Sequence, residues 1–544
     1  MSNQSKKLIL PVLLFCIGIA LFVVIDHFMP KSTTSSLSEN TIEEVDFTTA
    51  STYTIELSSS VYINSPGVYY LSGTLENGSI TVEVNGNVKL VLDNVSITNS
   101  TGPAIYIKNS DATVIELVGE SYIEDGANYN GYDEEVNGAI FSKDDLYFEG
   151  EGSLNVTANY LDGIVSKDNL VFYSGTYYVV SNDDGIRGTD SVTIYDGIFD
   201  LEATCDGIKS TKENEDNAGY IMIYDGTFNI TTGGGAKNSS MNNNGIWGFW
   251  SSTTTNDPSA KGIKAENYIK INSGTFVLNT SDDSIHTNGT LEINGGTFTI
   301  DSGDDGMHAD SLLTINQGEI DINQSYEGIE SQVIEINDGT INIIASDDGM
   351  NGAGGSDSSG FGRIGQGMFD SSSDCTLTIN GGNIFVNASG DGLDSNGSLQ
   401  INGGTIYVEG PTDNGNTALD YGTSLEINGG ELIAVGSSGM VESVSTASTQ
   451  NNVTVYFNST STDEIMIKDS EGNTIMTYSP SKSYSAMTYS SAALSDNETY
   501  TVYANGEEVT TFTITSTVNT AGSSSNHMFG GGGMGGKPGG FGNF

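Results

Sequence analysis

The phrase acid-Gly-apolar returns every 22 residues through the middle of this chain, and a fixed interval of that size restricts the fold more than any other feature. It runs through Asp162-Gly163-Ile164, Asp184-Gly185-Ile186 and Asp206-Gly207-Ile208. After an interruption it resumes as Lys261-Gly262-Ile263, Asp283-Ser284-Ile285, Asp305-Gly306-Met307 and Glu327-Gly328-Ile329 at the same spacing. Asp348-Gly349-Met350 follows after 21 residues, and Asp391-Gly392-Leu393 lies beyond a second interruption. One such repeat cannot bury its own apolar face, so each copy must be one turn of a stack.

Each period holds three short β-type runs separated by glycine turns, as in Leu291-Glu292-Ile293-Asn294-Gly295-Gly296-Thr297-Phe298-Thr299-Ile300. Alternation at period two marks strands with one buried face, and Gly-Gly supplies the positive φ of a tight corner. The expected fold is all-β: a right-handed parallel β-helix, three strands per rung of about 22 residues, with like side chains stacked about 4.8 Å apart. The residue after the motif glycine (Ile164, Ile186, Ile208, Ile263, Ile285, Met307, Ile329, Met350, Leu393) should form an inner apolar column. A nine-residue calcium β-roll has the wrong period, and no helical period occurs outside the N-terminus.

Seventy acidic against 18 basic residues give a net charge of −52, which argues against nucleic acid or an anionic membrane surface and toward bound cations. Leu8–Ile25 is an apolar run preceded by Lys6 and Lys7, without a small-residue cleavage site after it. It reads as an uncleaved membrane anchor, the alternative being a cleaved export signal; either places the remainder outside a bacterial cell. Cys16 has no lipobox around it, and Cys205 and Cys375 sit at different phases of the repeat, so no disulfide is expected.

Residues 31–45 read as a Ser/Thr-rich spacer, 46–137 as irregular first rungs and 138–440 as regular rungs. Insertions near 211–259 and 352–373 should leave from corners. Residues 452–516 read as a small antiparallel unit with a hairpin across Asn505-Gly506, and 521–544 as a Gly-rich disordered tail.

A side chain placed once per rung becomes a column. Asp162, Asp184, Asp206, Asp283, Asp305, Asp348 and Asp391 should align at one corner, doubled by Asp183, Asp282, Asp304 and Asp347. Stacked carboxylates repel unless something positive lies between them, and an oxygen-rich site of this kind suits Ca²⁺. The plainer reading is that Asp-Gly is good turn chemistry. Two residues after the motif glycine the chain reads Arg187, Lys209, Lys264, His286 and His308, expected to point outward as a basic stripe able to pair with uronate carboxylates, or else to neutralise the neighbouring acids. Trp247 and Trp250, beside Phe249 in the first insertion, could offer flat faces to sugar rings or pack the loop. A transition metal on His286 and His308 is disfavoured by one His per rung and no nearby Cys. No nucleophile constellation or phosphate loop stands out, so no catalytic residue is assigned.

The phrases Ser259-Ala260-Lys261-Gly262-Ile263-Lys264-Ala265, Asp183-Asp184-Gly185-Ile186-Arg187-Gly188, Asp206-Gly207-Ile208-Lys209-Ser210 and Ile379-Asn380-Gly381-Gly382 resemble a bacterial family of calcium-binding, parallel β-helix carbohydrate-binding proteins. That family is similar in fold to pectate lyases and is associated with cellulose and acidic polysaccharides such as polygalacturonate. The resemblance spans roughly residues 45–515. It implies a surface-displayed polysaccharide-binding module holding Ca²⁺ on its acidic turns, more a binder than an enzyme. A pectate-type lyase and a passive stalk or adhesin are the alternatives. Ser284 in place of Gly and Glu327 in place of Asp depart from the family's repeat.

Overall fold

The computed structural model describes residues 45–213, 215, 217–239, 259–353 and 374–522. The chain divides after Glu44 into two compact units, and only the second, beginning at Val45, falls within the described residues. The expected membrane segment, the Trp247/Trp250 loop and the tail beyond Gly522 lie outside them. No helix among the described residues is long and apolar enough to cross a membrane, and their single helical element is a 3-10 turn at Ala236–Asn238.

The described residues are otherwise all-β, with 41 strands hydrogen-bonded into one sheet and 4 into another. In the large sheet the strands as far as Glu431–Gly436 pair in parallel with their equivalents on neighbouring rungs, which generates three ladders. One ladder, the long-strand ladder, contains the six-residue strands Thr176–Ser181, Ile198–Ala203, Thr227–Thr232, Thr275–Thr280 and Thr297–Ser302. A second ladder contains Asn169–Phe172, Ser191–Ile194, Tyr220–Ile223 and Tyr268–Ile271. The third holds the motif: Asp162–Ser166, Ile186–Gly188, Ile208–Ser210, Ile263–Ala265 and Ile285–Thr287. This ladder keeps its register across both interruptions, since Ile208 pairs with Ile263 and Met350 with Leu393, and the span expected as the first insertion contains the regular strands Tyr220–Ile223 and Thr227–Thr232 of the other two ladders.

Register makes the core. The column from Ile164 to Leu393 is fully buried, and on the long-strand ladder Tyr177, Phe199, Phe228, Phe276 and Phe298 stack face to face. Their successive centroid separations are 4.9, 5.0, 4.6 and 4.6 Å, matching the distance between paired strands. One continuous apolar cluster reaches from Leu57 to Val444.

Glycine serves two different needs. The second residue of each Gly-Gly pair turns with positive φ, as at Gly296 (106°), Gly382 (94°) and Gly404 (91°). The motif glycines do not: a Cβ on Gly185 would lie 2.6 Å from the carbonyl oxygen of Gly207 one rung on, so close backbone approach disfavours a side chain there, and among the motif corners from Gly163 to Gly392 only the small Ser284 replaces glycine. At the Gly-Gly corner the preceding asparagines form a side-chain chain in which Nδ2 of Asn294, Asn316, Asn337, Asn380, Asn402 and Asn428 each donates to Oδ1 of the asparagine one rung before, at 2.8–3.1 Å.

At the C-terminal end the direction reverses. Tyr484–Ser490 pairs antiparallel with Glu431–Gly436, the last of the long strands, and with Asn452–Ser461. The separate four-stranded sheet is antiparallel and includes the hairpin Thr499–Ala504 with Glu507–Thr513. Asn505 (φ 50°) and Gly506 (φ 78°) make its turn. Phe276→Ala would remove one ring from the middle of the aromatic stack. Chemical denaturation followed by tryptophan-independent far-ultraviolet dichroism should show a loss of about 3–5 kcal/mol.

Candidate functional site

The carboxylates of the motif align as the period demands, and their first role is structural. One oxygen of each accepts the backbone N–H of the equivalent residue on the next rung. Asp162 Oδ1 accepts from Asp184 N–H at 3.1 Å, Asp184 Oδ1 from Asp206 at 3.1 Å, and Asp206 Oδ1 from Lys261 at 2.9 Å. Further along, Asp283 serves Asp305 (3.0 Å), Asp305 serves Glu327 (3.2 Å) and Asp348 serves Asp391 (2.6 Å). The turn-chemistry reading had each carboxylate bonding its own backbone. Here it bonds the next rung's, because stacked corners place that N–H directly above it.

Lys261 stands in the acidic column itself, a role that its phase in the repeat reveals once Lys261-Gly262 is aligned with Asp-Gly. It is buried, with Nζ 2.9 Å from Asp282 and 2.6 Å from Asp283. The basic stripe runs beside the column and turns toward it. Arg187 Nη2 lies 2.5 Å from Asp162, and Lys209 Nζ lies 3.2 Å from Asp184 and 2.7 Å from Asp206. Lys264 Nζ lies 3.4 Å from Ser259 Oγ. His286 and His308, expected to point outward and meet sugar, are instead buried at 2% and 1% exposure. Their rings stack at 4.8 Å, and each Nδ1 faces the column: His286 toward Asp283 at 2.8 Å, His308 toward Asp305 at 3.3 Å. The outward direction is right for the strand, but at this corner the carboxylate column and the next rung cover it.

Before Arg187 the register position of the stripe holds Val165 and Phe141, and Lys167 and Lys143 stand two residues further along the chain. Lys167 is half-buried, and burial together with Arg187 holds its amine below the ordinary lysine value.

Charge is therefore partitioned along the corner. From Asp162 to Asp283 the column carboxylates have basic partners; burial still pushes Asp162 up to about 7 and Asp184 to about 6, whereas Asp206 and Asp283 are held below the usual carboxylate range despite burial, chiefly by Lys209 and Lys261 respectively. From Glu327 onward no lysine, arginine or histidine is paired with a column carboxylate among the described residues. Burial, reinforced by like charge, raises Glu327 and Asp348 and pushes Asp391, Asp394 and Glu442 up to about 7. Asp348, Asp391 and Asp394 are only partly covered, so solvent and ions reach them.

Two features of this acid-only stretch go beyond clustered charge. Asn351 is 8% exposed and donates Nδ2 to Glu327, yet its buried Oδ1 has no hydrogen-bond partner. Gly390 leaves open the space into which both preceding carboxylates point: a Cβ there would sit 2.3 Å from Asp348 Oδ1 and 2.5 Å from Asp347 Oδ1. By contrast the carboxylate groups Asp162/Asp183/Asp184 and Asp282/Asp283/Asp304, close enough to share an ion, have Arg187 and Lys261 in their midst.

Residues 58–306 match the family profile described as carbohydrate-binding domain-containing protein. A protein of the same description from Acetivibrio thermocellus is 36% identical over 126 residues, which make up 22% of this chain and 44% of that protein, so the chain spans less than half the length of the curated relative it matches. Among solved structures, one described as the polysaccharide lyase-like protein from C. thermocellum, a gadolinium derivative, is 28% identical. That likeness covers 50% of this chain and 91% of the other, with a TM-score of 0.35. The chain is thus similar to carbohydrate-binding domain proteins over the rungs that carry the basic stripe.

The two halves should respond oppositely to loss of a carboxylate. Asp206→Ala leaves the buried Lys261 N–H without its acceptor and Lys209 with Asp184 alone, and should cost about 3–5 kcal/mol in urea denaturation. Asp394→Asn in a chelator removes only repulsion and should leave the midpoint unchanged or raised.

Proposed function

We propose that this chain is an extracellular, calcium-dependent polysaccharide-binding module built on a right-handed parallel β-helix and held at the cell membrane by its N-terminal segment. Parallel pairing at a constant period supports the β-helix, and the strong preference of parallel crossovers for one hand supports its handedness. The observation that carries the functional reading is the division of one corner into a base-bearing stretch and an acid-only stretch containing an orphaned amide oxygen.

Asp347, Asp348, Asp391 and Asp394 would hold Ca²⁺, with Asn351 Oδ1 as a neutral ligand. A hard cation accepting six to eight oxygens, water among them, fits this donor set. When bound, the ion neutralises the stretch and offers a bridge to a uronate carboxylate. Lys143, Lys167, Arg187, Lys209 and Lys264 supply positive charge on the earlier rungs, so an acidic polymer lying along the stack meets bases first and calcium later. Weak contacts repeated at each rung add along a polymer. Similarity to carbohydrate-binding domain proteins supports a polysaccharide as the partner; an acidic chain is favoured over a cellulosic one by the stripe.

One observation favours a lyase as the second reading. Lys167, its amine depressed beside Arg187, has the property required of a base that removes a proton next to a uronate carboxylate. Release of ultraviolet-absorbing unsaturated uronides, abolished in Lys167→Ala, would establish that reading over simple binding.

Calcium linkage gives a signed test. With folded values of about 7 against an ordinary 3.8, Asp391 and Asp394 hold more protons in the fold than in the unfolded chain between roughly pH 4 and 7. In chelator, stability should therefore fall as pH rises from 5 to 8, and millimolar Ca²⁺ should flatten that slope and raise the unfolding midpoint at pH 8 by RT ln(1 + [L]/Kd). A slope unaffected by Ca²⁺ would remove the ion from the reading. Calorimetry with oligogalacturonides and pull-down on pectin and cellulose should show calcium-dependent binding that weakens in the Arg187→Ala/Lys209→Ala double variant. Absence of binding to every polymer would leave a stalk.

A further inference from the structure

We propose that Asp305, His308 and Glu330 form a site for one first-row transition-metal dication of the zinc type, separate from the calcium stretch. The comparison that isolates it is between two adjacent rungs of the same column. At the first, the Oδ2 of Asp283 meets both the His286 ring at 2.8 Å and the Lys261 ammonium at 2.6 Å, while Nε2 of His286 lies 2.9 Å from the neutral Asn288 Oδ1. That rung carries its own cation.

One rung later the ring is in the same place and every partner is a carboxylate. His308 Nδ1 lies 3.3 Å from Asp305 Oδ2 and 2.8 Å from Glu330 Oε2, and Nε2 lies 3.1 Å from Asp310 Oδ1. Among the described residues no lysine or arginine is paired with Asp305, Asp310 or Glu330. Three carboxylates thus surround one imidazole, with Asp305 and His308 at 0% and 1% exposure.

Chemistry selects the ion. A histidine bound to a metal characteristically donates its other N–H to a carboxylate, which fixes the tautomer and the ring orientation; Asp310 occupies that position on Nε2 and leaves Nδ1 toward Asp305 and Glu330. One ligand atom from each of Asp305, His308 and Glu330 lies within 4.8 Å of the other two. Donors about 2.0–2.2 Å from a zinc-type ion stand about 3–3.5 Å apart at adjacent corners, close to the separations seen. Asp305 is further held in place because its Oδ1 accepts the Glu327 N–H at 3.2 Å, which turns Oδ2 to the ring. Imidazole with carboxylate suits Zn²⁺, Co²⁺ or Ni²⁺, whereas Ca²⁺ prefers oxygen alone. The Glu330 side chain, 19% exposed, is the one ligand at the surface and gives the ion its way in.

The test uses the full chain saturated with Ca²⁺, titrated with Co²⁺ and then Zn²⁺. One equivalent of Co²⁺ should produce visible d–d absorption that Zn²⁺ abolishes. His308→Gln and Glu330→Gln should each lose the signal, Asp310→Asn should weaken binding about 10- to 100-fold, and His286→Gln should retain it. Dichroism of each variant monitors folding, and the partly exposed Glu330 provides the readout if His308→Gln does not fold. No Co²⁺ uptake by the wild-type chain in Ca²⁺, or uptake unchanged in folded Glu330→Gln, would overturn the proposal. The result is distinguishable from the polysaccharide reading, since His308 pairs with none of the lysines or calcium-stretch carboxylates and the response to the Ca²⁺ present throughout monitors any effect of Glu330→Gln on its register partner Asn351.

Discussion

Hydrogen bonding between equivalent residues one period apart is the constraint on which the rest of this structure depends. Every ladder strand satisfies its backbone on the rungs before and after it, and at the motif corner the carboxylate of one rung takes the N–H of the next. Such a corner resists a slip by one residue, and at motif glycines such as Gly185 a Cβ would crowd the neighbouring carbonyl oxygen at 2.6 Å, although Ser284 takes that place on one rung. The apolar columns, the stacked rings and the asparagine chain follow from that registry. A column of acids is therefore required mechanically before it is useful chemically, and its charge must be dealt with wherever it is buried.

The chain deals with it in two ways. Over the earlier rungs it supplies its own cations: Arg187 and Lys209 from the flank, and Lys261 from within the column. Over the later rungs no basic side chain is paired with the column among the described residues, and burial pushes Asp391 and Asp394 up to about 7. Because the same backbone carries both regimes, a single substitution in the repeat changes what a rung can bind without changing how it stacks. The similarity to carbohydrate-binding domain proteins lies over residues 58–306, which contain the self-compensated rungs and end before the acid-only ones.

Much of this was legible in the sequence because stacking converts spacing into position. The 22-residue interval placed Ile164, Ile186 and Ile208 in one column, and the structure pairs them so. Ile-Asn-Gly-Gly was legible as a corner, but not as a side-chain chain, since an isolated asparagine before glycine has the same turn preference with or without a neighbour above it. His286 and His308 were misjudged for a related reason: alternation along a strand gives the face a side chain leaves from, whereas its burial is decided by lateral neighbours on other rungs. Asn351 and Gly390 carried no signal of their own. Their importance lies in an amide oxygen without a donor and a space without a Cβ, and both are properties of assembled rungs.

The reversed strand Tyr484–Ser490 has a consequence for solubility. A parallel, in-register stack has the strand arrangement of a fibril, and an open terminal strand would template the addition of another copy. Glu431–Gly436 is instead closed by a partner running the other way. Elongation of the long-strand ladder by a second chain is blocked at that edge.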